Sequence, residues 1–80
     1  GYKVFPNPAD AAATLSWEQE QARPRMVQLV DLTGRTLWQS ADINTDALRV
    51  PTAELPAGLY LLRIEQADGA MQSLPLRVQR

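Results

Sequence analysis

Apolar and polar residues alternate through several short stretches of this chain, the longest being Leu59-Tyr-Leu-Leu-Arg-Ile-Glu-Gln66. Tyr60, Leu62 and Ile64 fall on one face there, and Leu61, Arg63 and Glu65 on the other. A period of two between Gly and Pro punctuation predicts a strand buried on one face. Pro56-Ala57-Gly58 forms a corner before it. Asp68-Gly69 after it suits a two-residue hairpin turn, where the backbone must tolerate positive φ. This strand is expected at the centre of a small all-β domain.

The other stretches are shorter. Tyr2 to Phe5 reads as a strand ended by Pro6-Asn7-Pro8, a rigid bend because each proline fixes φ and removes a donor. Ala11-Ala12-Ala13 alone would permit a helix, but Thr14 to Gln19 alternates and predicts a strand with Leu15 and Trp17 on one side. A polar connection follows from Glu20 to Pro24. Arg25 to Asp31 is the next strand, with Val27 and Leu29 inward. Asp31-Leu32-Thr33-Gly34 is a turn, since Asp can bond its own backbone and Gly tolerates the sharp exit. Arg35 to Gln39 returns as the partner strand carrying Leu37, and alternation leaves the exposure of Trp38, out of phase with Leu37, open. Asp46 to Pro51 carries Leu48 and Val50 inward. Met71 to Val78 is the last strand, and Pro75 within it argues for an edge or a bulge.

Seven short, mainly antiparallel strands with turn signals between them predict an immunoglobulin-like β-sandwich, in one domain over residues 1–80. The spacing Gly58-x-Tyr60 is that of a tyrosine corner.

Composition narrows the function more than the fold. The chain has 80 residues, no Cys and no His. Thiolate nucleophiles, imidazole bases and Cys or His metal ligation are therefore excluded. Eight basic and nine acidic residues give a net charge of −1, which excludes a strongly basic face of the kind that neutralises phosphates. No apolar run is long enough for a transmembrane helix.

Catalysis finds little support. Glu18 with Glu20, and Glu54 with Glu65, are carboxylates that a sandwich this small leaves on solvated faces rather than across a cleft. Asp42-Ile43-Asn44-Thr45-Asp46 matches the first half of a calcium loop, but Ala47 stands where that loop needs glycine and Ala53 where it needs a bidentate glutamate. An inter-strand turn is the better reading. Trp38 is the candidate for an exposed sugar-stacking ring, while Trp17 in phase with Leu15 belongs to the core. Neither an enzyme nor a cofactor is expected.

Three motifs occur in order: Val4-Phe5-Pro6-Asn7-Pro8, Val30-Asp31-Leu32-Thr33-Gly34-Arg35, and Leu55-Pro56-Ala57-Gly58-Leu59-Tyr60-Leu61-Leu62-Arg63-Ile64. With them the chain resembles the type A C-terminal sorting domain of the type IX secretion system, over nearly its whole length. The resemblance implies a non-catalytic C-terminal export signal on a cargo domain in the same chain. The outer-membrane type IX translocon would recognise it, with the cargo crossing the periplasm of a Gram-negative bacterium to become secreted or cell-surface protein. A sortase-like surface peptidase would then remove it and attach the cargo to the cell surface.

Such domains end in an apolar strand with a terminal basic residue. Leu76-Arg77-Val78-Gln79-Arg80 fits that pattern, with arginine where lysine is common. An open final strand would pair with a receptor sheet, or with a second copy as an edge-strand dimer, and Arg77 and Arg80 would set its register. Pro6, Asn7, Pro8, Asp31, Gly34, Arg35, Pro56, Gly58 and Tyr60 are the motif residues, expected to define turns rather than contacts. The rival reading is an accessory immunoglobulin-like module, binding carbohydrate or acting as a spacer on an extracellular enzyme or adhesin.

Overall fold

A computed structural model describes all of residues 1–80 and contains seven strands and no helix. They are β1 (Lys3–Phe5), β2 (Ala12–Ser16), β3 (Pro24–Val30), β4 (Thr36–Ala41), β5 (Ala47–Pro51), β6 (Gly58–Gln66) and β7 (Met71–Val78). Every strand pair is antiparallel. One sheet has the order β1-β2-β5 and the other β4-β3-β6-β7. The predicted sandwich is thus the observed one. In the constant-type immunoglobulin arrangement the fourth strand joins the first sheet. Here the tight turn after Val30 keeps β4 beside β3.

The core lies between the sheets and is built from alternate positions. Leu15, Val27, Leu29, Val50, Leu62, Ile64 and Leu76 are fully enclosed, and Val78 nearly so. Each comes from the apolar phase of its strand, so the period of two maps directly onto the buried layer. The long β6 sits between β3 and β7, as its sequence required.

The extent of β2 and the phase of β4 differ from simple alternation. The strand expected over Thr14 to Gln19 runs from Ala12 to Ser16, because Ala12 and Ala13 pair with Pro51 and Val50. Alanine is small enough to be overridden by a strand neighbour. Trp17 and Gln19 therefore belong to the loop after β2. On β4 the phase of Leu37 and Trp38 is broken by an irregularity in the β3–β4 pairing, where Leu29 faces Trp38 but Val30 faces Thr36. Trp38 is consequently set against the core beside enclosed Leu29 and is half-buried, as is Leu37. That bulge decides the placement of Trp38, which strict alternation left open.

Candidate recognition surface

β7 is an edge strand, as Pro75 indicated. Its Leu76 and Val78 side chains point into the core, while Arg77 is exposed on the outer face. The backbone of Arg77 faces away from β6, toward the border of the sheet. An open border there was the expectation, and the structure corrects it. Asn7 lies alongside: its Oδ1 accepts the Arg77 N–H at 3.0 Å, and its Nδ2 donates to the Pro75 carbonyl at 3.1 Å. Ala9 continues the cap, donating to the Arg77 carbonyl and accepting from the Gln79 N–H, both at 2.8 Å. The Asn7 amide carries one donor and one acceptor side by side, so it substitutes for a strand neighbour. Pro75 has no N–H and so leaves no border donor at its own position.

Arg80 is also not free. Its guanidinium donates to the Asp10 carbonyl at 2.6 Å and to Asp10 Oδ1 at 2.7 Å. It donates further to the carbonyls of Ala53 and Leu55 at 2.9 and 2.8 Å, and to that of Thr52. Thr52 is itself enclosed, with its hydroxyl donating to the Asp10 carbonyl at 2.8 Å. The planar fork of arginine suits this convergence of carbonyls, which one ammonium could not span. Arg80, expected to set the register of the strand on a receptor, instead latches the chain end onto the corner before β6.

Around Arg77, what remains accessible is a face rather than the border of β7. Arg77 lies opposite Leu59 in the β6–β7 pairing, and Pro75 lies two residues along on the same side. With Asn7 and Pro8 they line an open groove of about 330 Å³. Leu59 is 37 % exposed, and Phe5 nearby in the chain is 52 % exposed. The Arg77 side chain enters no ion pair. On the same outer face, Arg25 is paired with Glu65, and Arg63 is exposed. The outer face thus carries more positive than negative charge despite the near-neutral chain.

A profile of the family described as "Secretion system C-terminal sorting domain" matches residues 3–74. The chain belongs to the type IX secretion C-terminal sorting domain family. Such a domain marks its protein for secretion and implies a cargo region preceding it and contact with the type IX machinery. No curated protein matches the sequence. Among solved structures, CopC from Methylosinus trichosporium OB3b is similar at a TM-score of 0.54 and 16 % identity, covering 98 % of this chain and 91 % of that one. At that identity the likeness concerns the sandwich fold alone.

The other motif residues of the sorting domain do hold turns. Asp31 Oδ1 accepts from Thr33 Oγ1 at 2.6 Å, from the Thr33 N–H at 2.9 Å and from the Arg35 N–H at 3.0 Å. The Thr33 hydroxyl bond does most to hold the Asp31 carboxyl below the usual carboxylate range; partial desolvation opposes it, and the Arg35 and Thr33 amides and the Arg35 charge reinforce it. Gly34 completes the turn at φ +88°, a conformation that other residues adopt with strain. In the tyrosine corner, the Tyr60 hydroxyl donates to the Pro56 carbonyl at 2.5 Å.

Pro6, Asn7 and Pro8 form the expected bend, but Asn7 is a contact as well. Its sequence signal was an amide between two residues that lack N–H donors. Asp10 and Thr52, which receive Arg80 and fix its target, carried no motif and were missed.

Proposed function

We propose that this domain is a non-catalytic export signal read, while folded, by the outer-membrane type IX translocon through the outer face around Arg77. The observation that carries this reading is the double hydrogen bond of Asn7 to Pro75 and Arg77. It joins the first motif of the family to the terminal strand, so both contribute to one groove whose cation is unpaired. A receptor presenting acidic and apolar groups fits that groove, and capture of an open strand border near Arg77 does not. After export, a sortase-like surface peptidase cuts upstream of the sandwich and attaches the cargo to the cell surface.

The test fuses residues 1–80 to a periplasmic reporter in a host with a working type IX system. Export of the fusion, and its retention when the translocon is deleted, are the expected results. Retention in both hosts would refute the reading. Truncating Leu76 to Arg80 is a poor probe, because it removes two enclosed side chains. Full burial of each is worth roughly 1.5–3 kcal/mol, against a total stability of order 4–12 kcal/mol for a chain this size.

A further inference from the structure

The two sheets have four border strands, β1 and β5 on one and β4 and β7 on the other. A border presents unpaired N–H and C=O groups that pair with another chain unless something guards it. Three of the four are guarded. Asn7 and Ala9 cap β7. β1 has three residues, carries exposed Lys3 and runs into Pro6. β5 carries exposed Arg49 and ends at Pro51, which has no N–H. By contrast, β4 has six residues, Thr36 to Ala41, without a charge or a proline. Its bulge lies at its start, and Trp38 to Ala41 keep a regular register with Leu29 to Met26.

The alternation of antiparallel hydrogen bonds fixes which groups of β4 are open. The Gln66 N–H donates to the Ala70 carbonyl, so Ile64 and Leu62 also bond toward β7, and Arg63 and Leu61 bond toward β3. Arg63 faces Gln28 and Leu61 faces Val30, which turns Val27 and Leu29 toward β4, where they meet Ser40 and Trp38. The backbone N–H and C=O of Gln39 therefore point out to the border. Beside that border, half-buried Leu37 and Trp38 line a cleft of about 400 Å³ that reaches Pro51 and Leu55 on the far side. An open ladder next to an uncovered apolar cleft is the makeup of a strand-addition site.

We infer that β4 is a self-association border, where a second copy of this chain pairs antiparallel about a two-fold axis at Gln39. Each Gln39 then exchanges both N–H···O bonds with its counterpart, and Trp38 of each copy lies opposite Ser40 of the other on the cleft side. Charge favours a copy as the occupant. β4 brings no charge against itself, and like charges directly opposite are what destabilise such pairs. The cleft also carries one cation and one anion, Arg49 and Glu54, neither in an ion pair. A two-fold partner offers the complement of each. The contact consumes both β4 borders, so the assembly closes at two. β7 lies at the opposite border of the sheet, which leaves the Arg77 face open. The edge pairing expected of the last strand thus falls to β4.

The test is sedimentation velocity of the 80-residue chain over a range of about 0.01–1 mM, with NMR spectra across the same range. The chain should pass from monomer to dimer with Kd about 0.1 mM, as suits a contact at the small end of protein interfaces. The Trp38 indole and Gln39 amide resonances should move with concentration while those of Arg77 stay in place. Gln39→Lys and Gln39→Glu each set like charges opposite one another and should raise Kd about tenfold. Mixed in equal amounts, the two variants should dimerise again, a rescue that unfolded chains cannot give. A chain that stays monomeric up to about 1 mM would overturn the proposal and leave the border to a strand of another protein. So would a dimer that each variant forms as readily as the parent, or concentration-dependent shifts centred on β7.

Discussion

Asn7 and Arg77 stand 70 residues apart and are joined where the Arg77 N–H donates to the Asn7 side-chain oxygen at 3.0 Å. That bond closes the border of the terminal strand with a residue from the first motif. Asn7→Ala removes it together with the bond to Pro75 and should lower stability by about 1–2 kcal/mol, read by urea denaturation. Hydrogen exchange should accelerate at the Arg77 amide. An unchanged exchange rate there would mean that the cap is not formed in solution.

Arg80 is one-third exposed, so its bonds are partly discounted by solvent. Arg80→Ala should still cost about 1–2 kcal/mol, since the carbonyls of Thr52, Ala53 and Leu55 lose a charged donor. Arg80→Lys should recover less than half, because a point charge cannot reach all of them. Equal stability of the Lys variant and the parent would show that charge alone suffices.

Asp31 has a folded-state pKa below its unfolded value of about 3.9. Its stabilising contribution is therefore full above that value and is lost as pH falls through the folded-state pKa. Asp31→Asn should flatten the acid limb of the stability curve measured by thermal unfolding below about pH 4. An acid limb of the same slope in both proteins would contradict the assignment.

Gln21 predicts a change of the opposite sign. Gln21→Met removes a buried acceptor that the fold leaves unpaired, and it should raise stability by about 1 kcal/mol. Loss of stability in the variant would show that the side chain is satisfied within the folded chain.

The strands were legible because the core is made almost wholly of their alternate apolar residues; Tyr60, Leu62 and Ile64 needed nothing beyond a period of two. Turn chemistry was equally local, since Asp31 and Gly34 act within five residues of each other. The placement of Trp38 was not legible because a bulge shifts phase without changing composition. The candidate recognition surface was the least legible part. Asn7, Asp10 and Thr52 gain their roles only when the two ends of the chain meet, and no periodicity within either end reports that meeting. The terminal arginines looked alike in sequence, yet the fold engages one and leaves the other free.

Charge reversal at Arg77 tests the central claim most directly, because its side chain is exposed and makes no ion pair. In the reporter fusion, Arg77→Glu should leave the melting temperature of the domain nearly unchanged and trap the reporter in the periplasm, while Arg77→Lys is exported. Export of the folded Arg77→Glu fusion at the parent level would show that the translocon reads some other part of the sandwich.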